Sequence, residues 1–155
     1  MAAPRQGSTN EDETPVSRTV LAFRLAWRDS FENRAVNELH AEAFGHAVLN
    51  NDWFAQVSKH SLGWICAWNE AAELIGFVNI PWDGACHAFV VDTIVSTTAR
   101  RRGLGKAMMK LAAEKACEAG CEWLHVDFED DLRPFYFGAC DFAPTTAGLI
   151  QLKEL

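Results

Sequence analysis

The sequence predicts an α/β fold with a mixed central sheet, and three observations support this prediction. Strand-like apolar segments alternate with segments whose apolar residues recur at helical spacing. Two strand-like segments are separated only by a short polar turn, which is typical of an antiparallel hairpin. Two others are joined by an amphipathic helical segment, which is typical of a right-handed crossover between parallel strands. Together these patterns predict six strands and four helices.

The N-terminal half is predicted to contain one strand, two helices and the hairpin. Residues 1–18 are polar, so we expect a flexible leader, followed by a single domain over residues 19–155. Apolar runs indicate the strands, and apolar residues on one helical face indicate the helices. In order, this half is predicted to contain a strand at 20–28, helices at 31–44 and 52–60, and hairpin strands at 62–68 and 74–80.

The C-terminal half is predicted to hold the crossover unit and a short closing segment. The fourth strand is almost entirely apolar, and the helix that follows is amphipathic. Pro134 lies in the first turn of the last helix, where its missing N–H does no harm. This half is predicted to contain strands at 87–96, 121–128 and 149–152, and helices at 104–119 and 132–139.

The composition excludes several classes of protein. The chain has 155 residues, 49% of them hydrophobic and 23% charged, as in an ordinary globular domain. Its net charge of −7 argues against a nucleic-acid partner. No segment approaches the roughly 20 apolar residues of a membrane span, and no signal peptide is evident, so we expect a cytoplasmic protein without a membrane partner. The five cysteines are scattered, which predicts reduced thiols and no metal site.

The segment between the fourth strand and the next helix is the most informative part of the chain. A glycine-rich turn that opens a helix leaves backbone N–H groups unpaired at the positive end of the helix dipole. Such a turn is a site for phosphate, and four cations add to its field. Lys106 is followed by alanine, so the hydroxyl of a P-loop is missing. The residues of this predicted site are Arg100, Arg101, Arg102, Gly103, Leu104, Gly105 and Lys106.

The element order and this turn resemble the GNAT superfamily of N-acetyltransferases. The family signature, Arg/Gln-x-x-Gly-x-Gly/Ala, matches the spacing of Arg100, Gly103 and Gly105. The family often has a Phe/Leu-Tyr pair in a short helix after the fifth strand, and Tyr136, the only tyrosine of the chain, stands there. The resemblance covers residues 20–155.

This resemblance implies both an architecture and a ligand. The architecture is a mixed sheet of about six or seven strands with about four helices, in which the parallel fourth and fifth strands splay apart. The ligand is acetyl-CoA, whose pyrophosphate would lie on the amides from Arg101 to Lys106. The pantetheine arm would bind backbone groups near the end of the fourth strand, at Thr93, Ile94 and Val95.

The resemblance also implies the chemistry, which is direct attack of an amine on the thioester in a ternary complex. Tyr136 is the candidate general acid, because a phenol retains its proton at neutral pH. Glu129, at the end of the fifth strand, is the first candidate for the general base, and Asp92 is the second. A water relay is an alternative, and Asp92 alternatively pairs with His125 or Thr93 and only supports the sheet. Further candidates for the base are Asp127 and His87.

The acceptor implied by the resemblance is an amine on a small molecule or a peptide. A homodimer formed through C-terminal strands is also expected from the family. The alternative function is a non-catalytic acyl-CoA-binding module of the same fold. It is suggested by the irregular sequence after Tyr136, where Asp141 replaces a customary glycine and one extra residue intervenes.

Overall fold

The computed structural model describes residues 22–152, so the predicted leader lies outside the described part of the chain. Two 3₁₀ turns, Thr97–Ala99 and Asp130–Leu132, and a π-helix at Pro134–Ala139 supplement the regular elements. The regular elements are β1 (Phe23–Trp27), α1 (Asn33–Phe44), α2 (Trp53–His60), β2 (Ser61–Asn69), β3 (Leu74–Pro81), β4 (His87–Val95), α3 (Leu104–Glu118) and β5 (Trp123–Val126).

The strands form one mixed sheet in the order β1-β2-β3-β4-β5. All neighbouring pairs are antiparallel except β4 and β5, which are parallel, as the crossover pattern predicts. Five strands are present in residues 22–152, so the expectation of six or seven is wrong for this part of the chain. The predicted last strand at 149–152 is not formed. Leu149 and Ile150 are 84% and 78% exposed, because this apolar segment has no neighbouring strand to pack on.

Helices cover both faces of the sheet. α1 and α2 pack on one face around Val36, Val57 and Phe77, whereas α3 packs on the other around Met108 and neighbouring core residues. The N-termini of α1 and α2 lie together. No helix within residues 22–152 has the length and apolar character that a bilayer crossing requires.

A buried amide fixes the loop between α1 and α2. Asn37 donates from Nδ2 to the backbone carbonyls of Asn33 and Asn51, each at 2.9 Å. Its Oδ1 accepts from the Asn51 amide at 3.2 Å and from the Trp53 indole N–H at 3.1 Å. All the hydrogen-bonding groups of this side chain are thus used, and the far end of the loop is tied to α1.

The second half of β4 is the irregular part of the sheet. β4 pairs with β5 only as far as Val90 and Val126, although β4 itself continues to Val95. Toward β3, Asp92 and Thr93 together lie opposite a single β3 residue, which is a β-bulge. Asp92 adopts a left-handed backbone conformation, with φ of +53°. The parallel strands therefore splay apart beside a bulge, which leaves one edge of residues 91–95 without a strand partner in the described chain.

Candidate active site

The turn between β4 and α3 forms a concave site that is lined by backbone groups. Arg101 and Gly103 both have left-handed backbone, with φ of +61° and +84°. Gly103 is the N-cap of α3 and places no side chain over the helix end. A Cβ built on Gly103 has no atom within 4 Å, so the space above this residue is open.

The first amides of α3 are available to a ligand. Within residues 22–152, no backbone or side-chain acceptor binds the N–H groups of Leu104, Gly105 or Lys106. These groups lie at the positive end of a 15-residue helix. Arg100 is held in place because its Nε donates to the Val95 carbonyl at 3.1 Å. The exposed side chains of Arg101, Arg102 and Lys106 make no ion pair in the described chain, so the turn has the geometry and the charge of an anion site.

Gly105 leaves room for an aromatic ring as well as for a ligand, which the sequence does not show. The glycine signature predicts that a Cβ at this position collides with phosphate oxygens. In the structure, the same Cβ would lie 3.0 Å from Cζ of Phe135 and 3.2 Å from its Cε2. Gly105 thus lets the ring of Phe135, the residue before Tyr136 in the π-helix, lie close to the first turn of α3.

Tyr136 lies at the splayed end of the parallel strands. It is 5% exposed, and its ring stacks on Phe128 with centroids 4.5 Å apart. Burial raises the pKa of its phenol, and the hydroxyl of Thr93 on β4 lowers it to a smaller extent. The phenol therefore stays protonated at neutral pH. Asp141, which replaces the family's customary glycine, keeps a left-handed φ of +60°, so the chain turns after Tyr136 as a glycine would allow.

Asp92 faces α1 from the bulge of β4. Oδ1 of its carboxylate lies 3.7 Å from Nε2 of His40, and the side chain of Asn79 on β3 lies nearby. Burial raises the pKa of the Asp92 carboxyl, whereas His40 and Asn79 lower it by less. The partner of Asp92 is therefore His40 and not His125, which pairs with His87, and the alternative that Asp92 only supports the sheet stays a prediction.

Two histidines extend from Asp92 to the surface. Nδ1 of His40 lies 2.7 Å from Nε2 of His46, and Nδ1 of His46 lies 2.7 Å from the carbonyl oxygen of Ala47. His40 is half-buried and packs on Trp53, with ring centroids 5.2 Å apart, whereas His46 is exposed. Burial lowers the pKa of His40, Asp92 raises it and His46 lowers it further.

The other candidates for the base lie apart from this group. Glu129 is exposed at the start of a 3₁₀ turn, and its carboxylate makes no hydrogen bond or ion pair with the described residues. Asp127 is likewise exposed. Nδ1 of His87 lies 2.8 Å from Nε2 of His125, whose ring stacks on Phe89. Tyr136 therefore lies beside Thr93, the residue that follows Asp92 on β4, whereas Glu129 lies outside that group.

Within residues 22–152, one group of side chains has the composition of a metal site. Ligand atoms of Asp83, Cys86 and His87 lie within 4.8 Å of one another. Oδ1 of Asp83 accepts from the amides of Ala85 and His87, at 2.8 and 3.1 Å, and these bonds lower the pKa of its carboxyl. These two hydrogen bonds within the turn before β4 are enough to hold Asp83 close to Cys86 and His87.

A cavity of about 540 Å³ lies between α1, the β2–β3 turn and the residues after β4. Its lining includes Glu32, Glu38, Glu42 and Glu73, but neither Asp92 nor Tyr136. Oε1 of Glu42 accepts from the amide of Thr97 at 2.8 Å, and this residue lowers the pKa of the Glu42 carboxyl. None of residues 91–95, the unpaired part of β4, lines this cavity.

The sequence model of the acetyltransferase (GNAT) family matches residues 21–140. The chain belongs to the GNAT acetyltransferase family. The match spans the open turn, the splayed strands and the π-helix with Tyr136. Acetyl-CoA is the cosubstrate of GNAT acetyltransferases, and the free amides, the open space at Gly103 and the surplus of cations in this chain fit its phosphates.

Solved structures show the same GNAT fold. A GNAT family protein from Streptococcus pneumoniae is 20% identical, with a TM-score of 0.68 over 84% of this chain and 98% of that one. Glucosamine-6-phosphate N-acetyltransferase from Arabidopsis thaliana is 14% identical, with a TM-score of 0.65 over 84% and 97%. The aminoglycoside N-acetyltransferase AAC(6')-Iy, solved with CoA, is 15% identical, with a TM-score of 0.68 over 90% and 99%. No curated protein sequence matches the chain.

Sequence reasoning missed the contribution of α1 to this GNAT site. Val36, Leu39 and Ala43 predict the apolar face of the helix, and His40 lies on the same face, because it is four residues after Val36 and three before Ala43. A titratable side chain on a buried face signals either a satisfied polar contact or a functional role. That signal was present, but its partner Asp92 lies 52 positions further along the chain and is brought close only by the fold.

Proposed function

We propose that this GNAT protein is an N-acetyltransferase that moves the acetyl group of acetyl-CoA to a primary amine by direct attack in a ternary complex. One observation supports this most strongly. Asp92, whose carboxyl pKa is raised, lies on the unpaired part of β4, and Tyr136, whose phenol is protonated, lies beside the next residue, Thr93. The concave site for phosphate lies at the end of the same part of the strand.

The two groups have the properties that the two proton movements require. An alkylammonium has a pKa of about 10, so it must lose a proton before it attacks the thioester. Asp92 is the proposed base, because burial raises the pKa of its carboxyl and so strengthens it as a proton acceptor. As the C–N bond forms and the C–S bond breaks, Tyr136 donates its proton to the departing thiolate. The nitrogen loses a second proton as the amide forms, and this second proton, not the one taken by Asp92, replaces the proton that Tyr136 gave to the thiolate.

The acceptor we propose is cationic before it reacts. The net charge of −7 attracts an ammonium group and repels an anionic acceptor. Asp92 then provides a local negative charge beside β4. These charges support a primary amine on a small molecule or a peptide.

The test is transfer to a panel of amines, followed by release of the CoA thiol, together with titration calorimetry of acetyl-CoA binding. Gly103→Glu places a carboxylate over the free amides of α3, and we expect at least a 100-fold loss of acetyl-CoA affinity, about 2.7 kcal/mol. Gly120→Glu is the matched control. Gly120 also has left-handed backbone, with φ of +90° and open space around it, but lies beyond the other end of α3.

Equal affinities for the two folded variants would refute the anion site and, with it, the proposed function. Tight acetyl-CoA binding without turnover of any amine would instead favour the non-catalytic acyl-CoA-binding module. Circular dichroism of both variants controls for folding.

A further inference from the structure

We propose that His40 and His46 form a proton relay that carries the amine proton from Asp92 to the solvent. This inference rests on the proposed acetyl transfer, because the relay is the route by which the proposed base, Asp92, loses the proton that it takes from the amine. The relay runs from the bulge of β4 across α1 to the exposed start of the loop that leads to α2. It consists of the Asp92–His40 contact at 3.7 Å and the His40–His46 contact at 2.7 Å.

The hydrogen bonds fix which nitrogen of each ring has the proton. The carbonyl of Ala47 can only accept, so Nδ1 of His46 bears a hydrogen. In a neutral ring, Nε2 of His46 is then an acceptor, and it must receive a hydrogen from Nδ1 of His40. Both neutral rings are therefore Nδ1–H tautomers.

It follows that the inner end of the relay lacks a proton. In its Nδ1–H tautomer, His40 presents the lone pair of Nε2 to the carboxylate of Asp92. Two acceptors then face each other, and a single added proton converts this contact into a hydrogen bond. The separation of 3.7 Å exceeds that of a direct hydrogen bond, and contacts of this kind tighten in the reactive complex.

The proton balance of the relay is simple. The ammonium group of the acceptor gives one proton to Asp92, which shares it with Nε2 of His40. The imidazolium of His40 passes its Nδ1 hydrogen to Nε2 of His46, and the imidazolium of His46 releases its own Nδ1 hydrogen to water. Both rings are then Nε2–H tautomers, and proton exchange with water returns them to the Nδ1–H form before the next turnover. The exposed position of His46 makes this release possible. No bond to carbon changes in any of these steps.

The described residues that pack around Asp92 and His40 are uncharged, apart from the relay residues themselves. Asn79 on β3 is a neutral partner of Asp92, and Trp53 on α2 and Phe44 on α1 pack on the ring of His40. Among the described residues, the only titratable groups that act on His40 are Asp92 and His46. Burial disfavours the charged forms of both Asp92 and His40, so a positive charge on His40 is short-lived and the exposed ring of His46 is where water can stabilise it.

The kinetic test compares His46→Ala with His60→Ala across pH. His60 is an exposed histidine at the end of α2 and is the matched control. We expect His46→Ala to lower kcat by about 10- to 100-fold near neutral pH, toward the lower end of acid–base effects, without changing the KM for acetyl-CoA. Added imidazole should restore its rate, because the lost group was exposed and left space at the surface. A pH profile identical to that of His60→Ala, or no rescue by imidazole, would overturn the relay.

A second measurement does not depend on activity. Nitrogen-15 NMR of the full chain, with His40 and His46 assigned by substitution, reports the tautomer of each ring. We expect Nδ1–H in both rings at a pH where they are neutral, and a changed Nε2 signal of His40 in Asp92→Asn. An Nε2–H tautomer in either ring would refute the relay. If the tautomers are as expected but no amine is acetylated, the proposed function fails while the hydrogen-bonded chain stands.

Discussion

The two ends of the unpaired β4 segment are built from different parts of the chain. At the α3 end, the site consists of backbone amides from one continuous turn, with Arg101 and Gly103 in left-handed conformations. At the bulge end, side chains from separate elements meet at Asp92 and Thr93: His40 comes from α1, Asn79 from β3 and Tyr136 from the π-helix.

Because of this difference, the two ends are sensitive to different kinds of substitution. A site made of backbone tolerates changes of side chain but not of φ or of the open space above it. A site made of side chains from several elements depends on each proton-bearing atom and tolerates little substitution. Substitutions that remove one group at a time should therefore have opposite effects on binding and on turnover at the two ends.

The largest effect is expected from Asp92→Asn. Loss of the proposed base should lower kcat by about 10³-fold and leave acetyl-CoA affinity unchanged, because the amides of α3 are untouched. The same variant should be more stable than the parent at neutral pH. Because burial raises the pKa of Asp92, its ionised form costs stability as pH rises through that pKa.

This gain in stability should disappear below the ordinary carboxyl pKa of 3.8, where Asp92 is protonated in both folded and unfolded chains. Thermal melts across pH and steady-state kinetics measure the two effects. Asn is matched in size and forms no carboxylate, so retained kcat in a folded variant would remove Asp92 as the base.

A smaller effect on turnover is expected from Tyr136→Phe. The phenyl ring keeps the packing against Phe128 but has no proton to donate, so kcat should fall by about 100-fold with a small change in acetyl-CoA affinity. Rates across pH, with circular dichroism for the fold, measure this. A parental rate over the whole pH range would mean that Tyr136 is only a packing residue.

The smallest effect is expected from Arg101→Asn at the other end. Asparagine accepts left-handed backbone well and has no charge, so it should keep the turn and lose one cation. We expect acetyl-CoA to bind only a few-fold more weakly and with less dependence on salt. A loss as large as that of Gly103→Glu would show that side-chain charge, and not backbone, makes this end of the site.

The regular elements were predictable because their signals are local. The apolar run of β4, the amphipathic pattern of α3 and the hairpin turn each depend on a few consecutive residues, and the structure confirms all three. The segment at 149–152 has the apolar pattern of a strand, but a strand also needs a neighbour, and that requirement is not local. The leader and the expected homodimer remain predictions.

The site divides in the same way. The turn from Arg100 to Lys106 lies in one stretch of sequence, so the spacing of its arginines and glycines was enough to predict it. The partner of Asp92 was not, because a bulge and a positive φ of +53° at a non-glycine residue turn its side chain toward α1. Glu129 was favoured as the base because it ends a strand, yet the chain leaves it exposed in a separate turn.

The buried amide of Asn37 has a consequence for the timing of the reaction. It ties Asn51 and Trp53 to α1, and the amides of Gly45 and His46 both bond to the carbonyl of Ala41. The loop is thus anchored at both ends before any substrate arrives. A chain of proton donors assembled in advance needs little reorganisation when the amine binds, so acceptor binding need not wait for the loop to order.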